Sequence, residues 1–292
     1  MHDRVCPSDA PRIAALQTDT FRILPGRADA GLMLLCDHAE NTVPAAYGTL
    51  GLPEAQLQRH IAYDIGAAAV VEALSRALDV PAILTRFSRL LIDPNRGEDD
   101  PTLIMRLSDG AVVPGNRTLD PAERAHRIDT YYRPYHTAID RVIDEMSLRH
   151  PHPALLSIHS FTELWRGAIR PWQVGILWDA DDRLAGPLID TFVSAGDLLV
   201  GDNEPYTGKL RGDCMWQHGT QRGLPHAIIE IRQDLIRDAR GQSDWAERVA
   251  KVMRAVAHRR GLALDLPVVP AAAAESAPVA AGGFTPGSHG PI

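Results

Sequence analysis

Cysteine is scarce in this chain: three residues, Cys6, Cys36 and Cys214, among 292, with no CxxC or comparable spacing. A disulfide scaffold and a cysteine-bound zinc or redox centre are thereby excluded, and Cys36, inside an apolar run, reads as a plain buried thiol. No apolar stretch approaches the roughly 20 residues needed to cross a bilayer. The opening residues MHDRVCPSDAPRI lack the charged-then-apolar pattern of a signal peptide. A soluble, cytoplasmic protein with reduced thiols is expected. Excess positive charge is missing as well. Thirty Lys and Arg against 37 Asp and Glu leave a net charge of −7, which argues against a nucleic-acid or anionic-membrane partner. Neither a GxGxxG nor a Walker-type phosphate loop occurs, and no GxSxG elbow surrounds Ser160, so a serine hydrolase has little support.

What is present suits a folded enzyme. The chain is 45% hydrophobic and 23% charged, enough to bury a sizeable core. From Leu266 the sequence turns to Ala, Pro and Gly with almost no charge, so residues 266–292 are expected to form a disordered tail. Residues 1–26 read as an irregular lead-in, and 27–265, free of linkers and repeats, as one domain. Within it, short apolar runs alternate with helical patterns. Gly31–Cys36, Pro81–Thr85, Arg89–Ile92, Ala154–Ile158, Val174–Trp178 and Ala227–Ile229 read as strands. Helical periodicity covers Pro53–Val80, about 182–195 and 242–260, and a further helix opens at Asp120-Pro121 and runs to about Leu148, bent at Pro134. Near-continuous apolar strands interleaved with helices predict an α/β domain: a mixed, mainly parallel central sheet with helices on both faces.

Four of these runs end in chemistry-bearing residues: His38, Asn95 with Arg96, His159 and Glu230. In an open, mainly parallel sheet the carboxyl ends of neighbouring strands share one edge, where ligands bind, so these side chains are expected to converge. A single histidine at a strand end is usually structural; two at equivalent ends beside carboxylates suit a zinc ion, which in catalytic sites takes three protein ligands. Glu40, Asn41 and Asp64 are the candidates for the third. Asp64 falls on the apolar stripe of the predicted helix, where a carboxylate needs a cation or strong donors; a pair with Arg89 or Arg86 is the bland alternative. Glu230, in an apolar run, is either salt-bridged, for instance by Arg232, or poised as a general base. Arg96 or Arg89 could hold a substrate carboxylate bidentately, or Arg96 an oxyanion. Asp93 reads as a turn carboxylate. The loop Asn203–Gly212 and the segment Tyr131–His136 give weaker signals.

Several stretches, in order, resemble the N-formylglutamate amidohydrolase family: Cys36-Asp37-His38-Ala39-Glu40-Asn41, His60-Ile61-Ala62-Tyr63-Asp64, Ser88-Arg89-Leu90-Leu91-Ile92-Asp93-Pro94-Asn95-Arg96, Tyr132-Arg133-Pro134-Tyr135-His136, Ile158-His159-Ser160-Phe161-Thr162, Asn203-Glu204-Pro205-Tyr206 and Glu230-Ile231-Arg232-Gln233-Asp234-Leu235. The resemblance implies a zinc-carboxypeptidase-like or phosphorylase/hydrolase-like α/β fold. It also implies zinc on His38 and His159, substrate contacts from Asn95 and Arg96, and Glu230 as base. Where the carboxypeptidase-like motif has Glu three residues after its first His, this chain has Asn41; Asp64 is the preferred replacement. The activity implied is hydrolysis of N-formyl-L-glutamate to formate and L-glutamate. The alternatives are another N-acyl amino acid as substrate, or a binding protein without turnover.

Overall fold

The computed structural model describes residues 10–259 and 261–268. Its centre is an eight-stranded mixed sheet. In chain order the strands are β1 (Leu16–Gln17), β2 (Phe21–Leu24), β3 (Leu32–Cys36), β4 (Ala82–Thr85), β5 (Ala154–Phe161), β6 (Val174–Leu177), β7 (Val200–Asp202) and β8 (His226–Arg232). Across the sheet they lie in the order β7-β6-β8-β5-β3-β4-β2-β1. The inner four, β8, β5, β3 and β4, run parallel, whereas β6 and β2 flank them antiparallel.

The helices are α1 (Glu54–Leu57), α2 (Ala67–Leu78), α3 (Pro121–Arg127), α4 (Arg133–Ser147), α5 (Asp182–Ala195) and α6 (Ala239–Val256). Both sheet faces are covered, which is why the inner strands are apolar throughout. Leu32, Leu34 and Cys36 of β3 face the cluster built with α2, α5 and α6. The alternate residues Met33 and Leu35 face Tyr135, Ile139, Val142 and Ile143 of α4. Asp120 caps α3 by accepting from the Glu123 N–H at 2.7 Å, with Pro121 in the first turn. The expected bend before α4 is a wide π-type turn over Ile128–Tyr132; it falls where Pro134 has no N–H to give the carbonyl of Thr130. Among the described residues no helix is long and apolar enough to cross a membrane.

Several expectations are corrected. Arg89–Ile92 is a turn, not a strand. Its carbonyls are satisfied from afar, Leu90 by Asn116 Nδ2 at 2.8 Å and Leu91 by Arg127 Nη1 at 3.0 Å, and Leu90, Leu91 and Ile92 are buried in a third apolar cluster beside the sheet. The helical periodicity of Pro53–Val80 is split: α1 is one turn, and α2 begins only at Ala67. The lead-in is not irregular throughout, since Phe21 and Ile23 are buried and β2 pairs with β4. At the other end, Leu262, Leu264 and Leu266 pack into the main core cluster. Residues 269–292 of the expected tail lie outside the described residues.

Candidate functional site

The predicted convergence rests on strand order, and β5 does lie between β3 and β8. His159 sits within β5, directly opposite Glu230 on β8 in the parallel register, so both side chains project from the same face. His38 stands two residues past the end of β3. Asp64 is not on a helix as expected. It lies in the loop before α2, fixed by its N–H to the His38 carbonyl at 2.9 Å. Gly66 then turns the chain into α2 at φ 84°, where a Cβ would stand 2.2 Å from the Ile236 carbonyl oxygen, so only glycine fits.

These elements bring His38, Asp64 and His159 together, all buried, with one potential ligand atom of each within 4.8 Å of the others. Asp64 Oδ2 is 2.8 Å from His159 Nδ1 and 3.4 Å from His38 Nδ1. The outer nitrogen of each ring meets a different buried carboxylate. His38 Nε2 is 2.7 Å from Asp93 Oδ1, and His159 Nε2 is 3.0 Å from Asp37 Oδ2. An ionised carboxylate only accepts, so each Nε2 carries the hydrogen; both Nδ1 atoms point inward, that of His38 as a lone pair and that of His159 sharing a proton with Asp64 Oδ2. Asp37 is held in turn by Tyr135 Oη at 2.7 Å and Ser157 Oγ at 3.0 Å.

Negative charge dominates here. Burial by itself would raise the Asp64, Asp37 and Asp93 carboxyls, yet the neighbouring imidazoles, and Arg89 for Asp93, hold all three well below the usual range. Burial would lower the His159 imidazole, but Asp37 and Asp64 hold it well above its ordinary value. The cluster therefore favours a positive charge at its centre. His38 Nδ1, at the same place, is a buried polar atom with no hydrogen-bond partner among the described residues. Two inward-facing Nδ1 atoms, a carboxylate and a demand for positive charge, met here by the proton on His159, fit a divalent cation in that proton's place.

Glu230 lines the adjoining cavity of about 270 Å³ with His38, Asp64, His159, Asn95 and Arg96. Its Oε2 is buried without a partner among the described residues, and burial pushes its carboxyl up to about 7 despite the opposing pull of His159. Arg232 is not its partner; that guanidinium pairs with Asp234. Arg96 is positioned by its own bonds to Thr102 Oγ1 and the Asn95 carbonyl, at 3.2 and 2.7 Å. Arg89 also lines the cavity, but it donates to Asp93 at 2.7 Å and stands 3.6 Å from Asp64 Oδ1. The other third-ligand candidates are engaged elsewhere: Glu40 with Thr42 and Arg86, and Asn41 with the Leu57 carbonyl.

Sequence reasoning passed over Asp37 and gave Asp93 only a turn role. Asp93 does accept the Asn95 N–H at 2.9 Å, and it holds His38 and Arg89 as well. Asp213 was also missed; it lines the cavity, and burial pushes its carboxyl up to about 7. Tyr206 and Thr207 place the Asn203–Gly212 loop at the cavity wall.

The model of the N-formylglutamate amidohydrolase family matches residues 30–237. The chain belongs to this family of amidohydrolases. A gene product of Agrobacterium tumefaciens of known structure is 32% identical over 82% of this chain and 95% of its own, with a TM-score of 0.77. An N-formylglutamate amidohydrolase from Ralstonia eutropha shares the fold at 22% identity, covering 82% of this chain and 99% of its own, with a TM-score of 0.65. No curated protein sequence matches the chain. The match spans every strand from β3 to β8 and all the cavity residues named above.

Proposed function

We propose that this family member is a zinc-dependent hydrolase of the amide bond in N-formyl amino acids, with N-formyl-L-glutamate as substrate and formate and L-glutamate as products. The observation that carries the reading is the pairing of two inward-facing Nδ1 atoms and the Asp64 carboxylate with the unpartnered Oε2 of Glu230 across the same cavity. His38, His159 and Asp64 would hold the ion, with Asp93 and Asp37 orienting the two rings from behind. Zinc in such a site supplies a Lewis acid for the amide carbonyl and lowers the pKa of water toward 7.

The remaining work falls to the chain's own groups. Glu230 takes the proton of the attacking water and delivers it to the departing amine. A carboxyl raised to about 7 can do both near neutrality. Arg96, beside Asn95 on the cavity wall, is the cation available to a substrate carboxylate or a developing oxyanion. Arg89 serves the carboxylates of the site, because Asp93 and Asp64 take up its donors. The assay is formate release by the purified, zinc-supplied protein from N-formyl-L-glutamate and a panel of other N-acyl amino acids. Preference for the glutamate compound supports the reading; hydrolysis of none of them overturns it.

A further inference from the structure

A second cluster of buried titratable side chains lies outside the residues lining the cavity: His136 on α4, and Cys214 and His218 on the segment that ends in the π-type turn Trp216–Thr220. His136 Nδ1 and His218 Nε2 are 2.8 Å apart, with the ring centroids 5.1 Å apart and the ring planes 19° from parallel. The outer nitrogens face acceptors only. His136 Nε2 is 3.1 Å from the Pro94 carbonyl, and His218 Nδ1 is 3.0 Å from Asp140 Oδ1. Both outer nitrogens must therefore carry hydrogen. A neutral imidazole has one N–H, so two neutral rings would bring bare lone pairs together at 2.8 Å. Of the other two single-bonded neutral arrangements, one sets a His136 lone pair against the Pro94 oxygen at 3.1 Å and the other sets a His218 lone pair against Asp140 Oδ1 at 3.0 Å. Something positive lies between the inner nitrogens.

A proton fits that gap. Burial keeps the neighbouring Cys214 thiol protonated, a poor metal ligand. Burial and the neighbouring His218 push His136 down to about 3, so His136 is the neutral ring. The extra proton belongs on the side of Asp140, whose Oδ1 also accepts from Arg222 at 2.9 Å. The other groups facing the pair are the Tyr132 and Tyr135 rings beside His136 and, farther off, Asp37.

Building on the proposed function, we propose that His136 and His218 are positioning residues: a buried imidazolium at 218, donating through His136, anchors the Pro94 carbonyl and so sets the Asp93–Arg96 turn of the candidate site. The same two elements grip that turn at its next residues. The Arg96 carbonyl accepts from Tyr132 Oη at 2.8 Å, that hydroxyl accepts from Gln217 Nε2 at 2.7 Å, and Asn95 Oδ1 accepts from the Cys214 N–H at 3.1 Å. Asp93 at the head of the turn holds His38, so loss of the anchor reaches the ring that faces the ion.

Histidine-selective 15N NMR of the full chain at pH 7 tests the proton count directly. The expected result is three protonated nitrogens among the four of this pair, both of His218 and Nε2 of His136. Two protonated nitrogens, or a pair that changes on zinc addition in a His38→Ala/His159→Ala background, would overturn it. The positioning role is read from His218→Leu and His218→Gln. Leu should lower kcat/KM and zinc affinity about 10- to 100-fold, the usual effect of losing an outer-shell partner. Gln, an uncharged donor to His136, should restore most of both. Wild-type zinc affinity in the Leu variant would refute the role. The NMR and zinc readouts hold for a protein that cleaves no amide, so failure of the proposed activity and failure of this inference are separable.

Discussion

Glu230→Gln should raise stability while cutting turnover by orders of magnitude, and both effects follow from one burial. The carboxyl is moved from 4.5 to about 7 chiefly by desolvation. An acid whose folded pKa is raised binds more protons folded than unfolded, so the folded state loses stability as pH rises from 4.5 through about 7. At 1.36 kcal/mol for each pH unit, the full loss is about 3 kcal/mol. Glutamine has the same shape and no charge, so the metal-free variant should escape that loss. Urea unfolding of metal-stripped wild type and Glu230→Gln at pH 5 and pH 8 measures it. The variant should gain on the order of 3 kcal/mol relative to wild type between those pH values, and with zinc restored it should lose about 10²- to 10⁴-fold in kcat. Identical pH dependence in the two proteins would show that Glu230 is not held in a desolvated site. Retained turnover would remove it as the base.

Further predictions concern the groups around it. Asp93→Asn should weaken zinc binding about 10- to 100-fold, because the His38 ring loses its charged anchor; calorimetric titration with zinc checks it. Arg96→Lys should cost more in KM for N-formyl-L-glutamate than for N-formylglycine if the guanidinium grips the side-chain carboxylate, and equal losses would assign it to the oxyanion instead. Leu264→Ala should destabilise the fold by about 2–4 kcal/mol, since that side chain is 1% exposed within the main core. A thermal melt unchanged by Leu264→Ala would show that the C-terminal segment does not contribute to packing.

The strands and the residues that end them were legible because apolar runs and side-chain alternation are local properties; the strand order that brings His38, His159 and Glu230 together is not local and was expected only from the general rule for parallel sheets. Each residue ends or lies in an apolar run, and three parallel neighbours suffice to align them. The Asp64 contact was legible for a different reason than the one available in the sequence. Its helical spacing was coincidental, and what holds it is an N–H bond to the His38 carbonyl, 26 residues away. Arg89–Ile92 has the composition of a strand, but Asn116 and Arg127 take the carbonyls a ladder would have used, and no local pattern announces donors so distant. Asp37 and Asp93 were the least readable. A carboxylate beside a histidine in sequence points elsewhere, and Asp37 serves His159, 122 residues on, rather than its neighbour His38. β2 escaped notice because four residues with alternate burial are too few to stand out from a polar lead-in.

The most direct measurement of the central claim is an anomalous-difference map from crystals of the zinc-loaded protein. The account predicts one strong peak among His38 Nδ1, His159 Nδ1 and the Asp64 carboxylate, within reach of Glu230. A peak at any other side chains, or none at those three with zinc in excess, would contradict it.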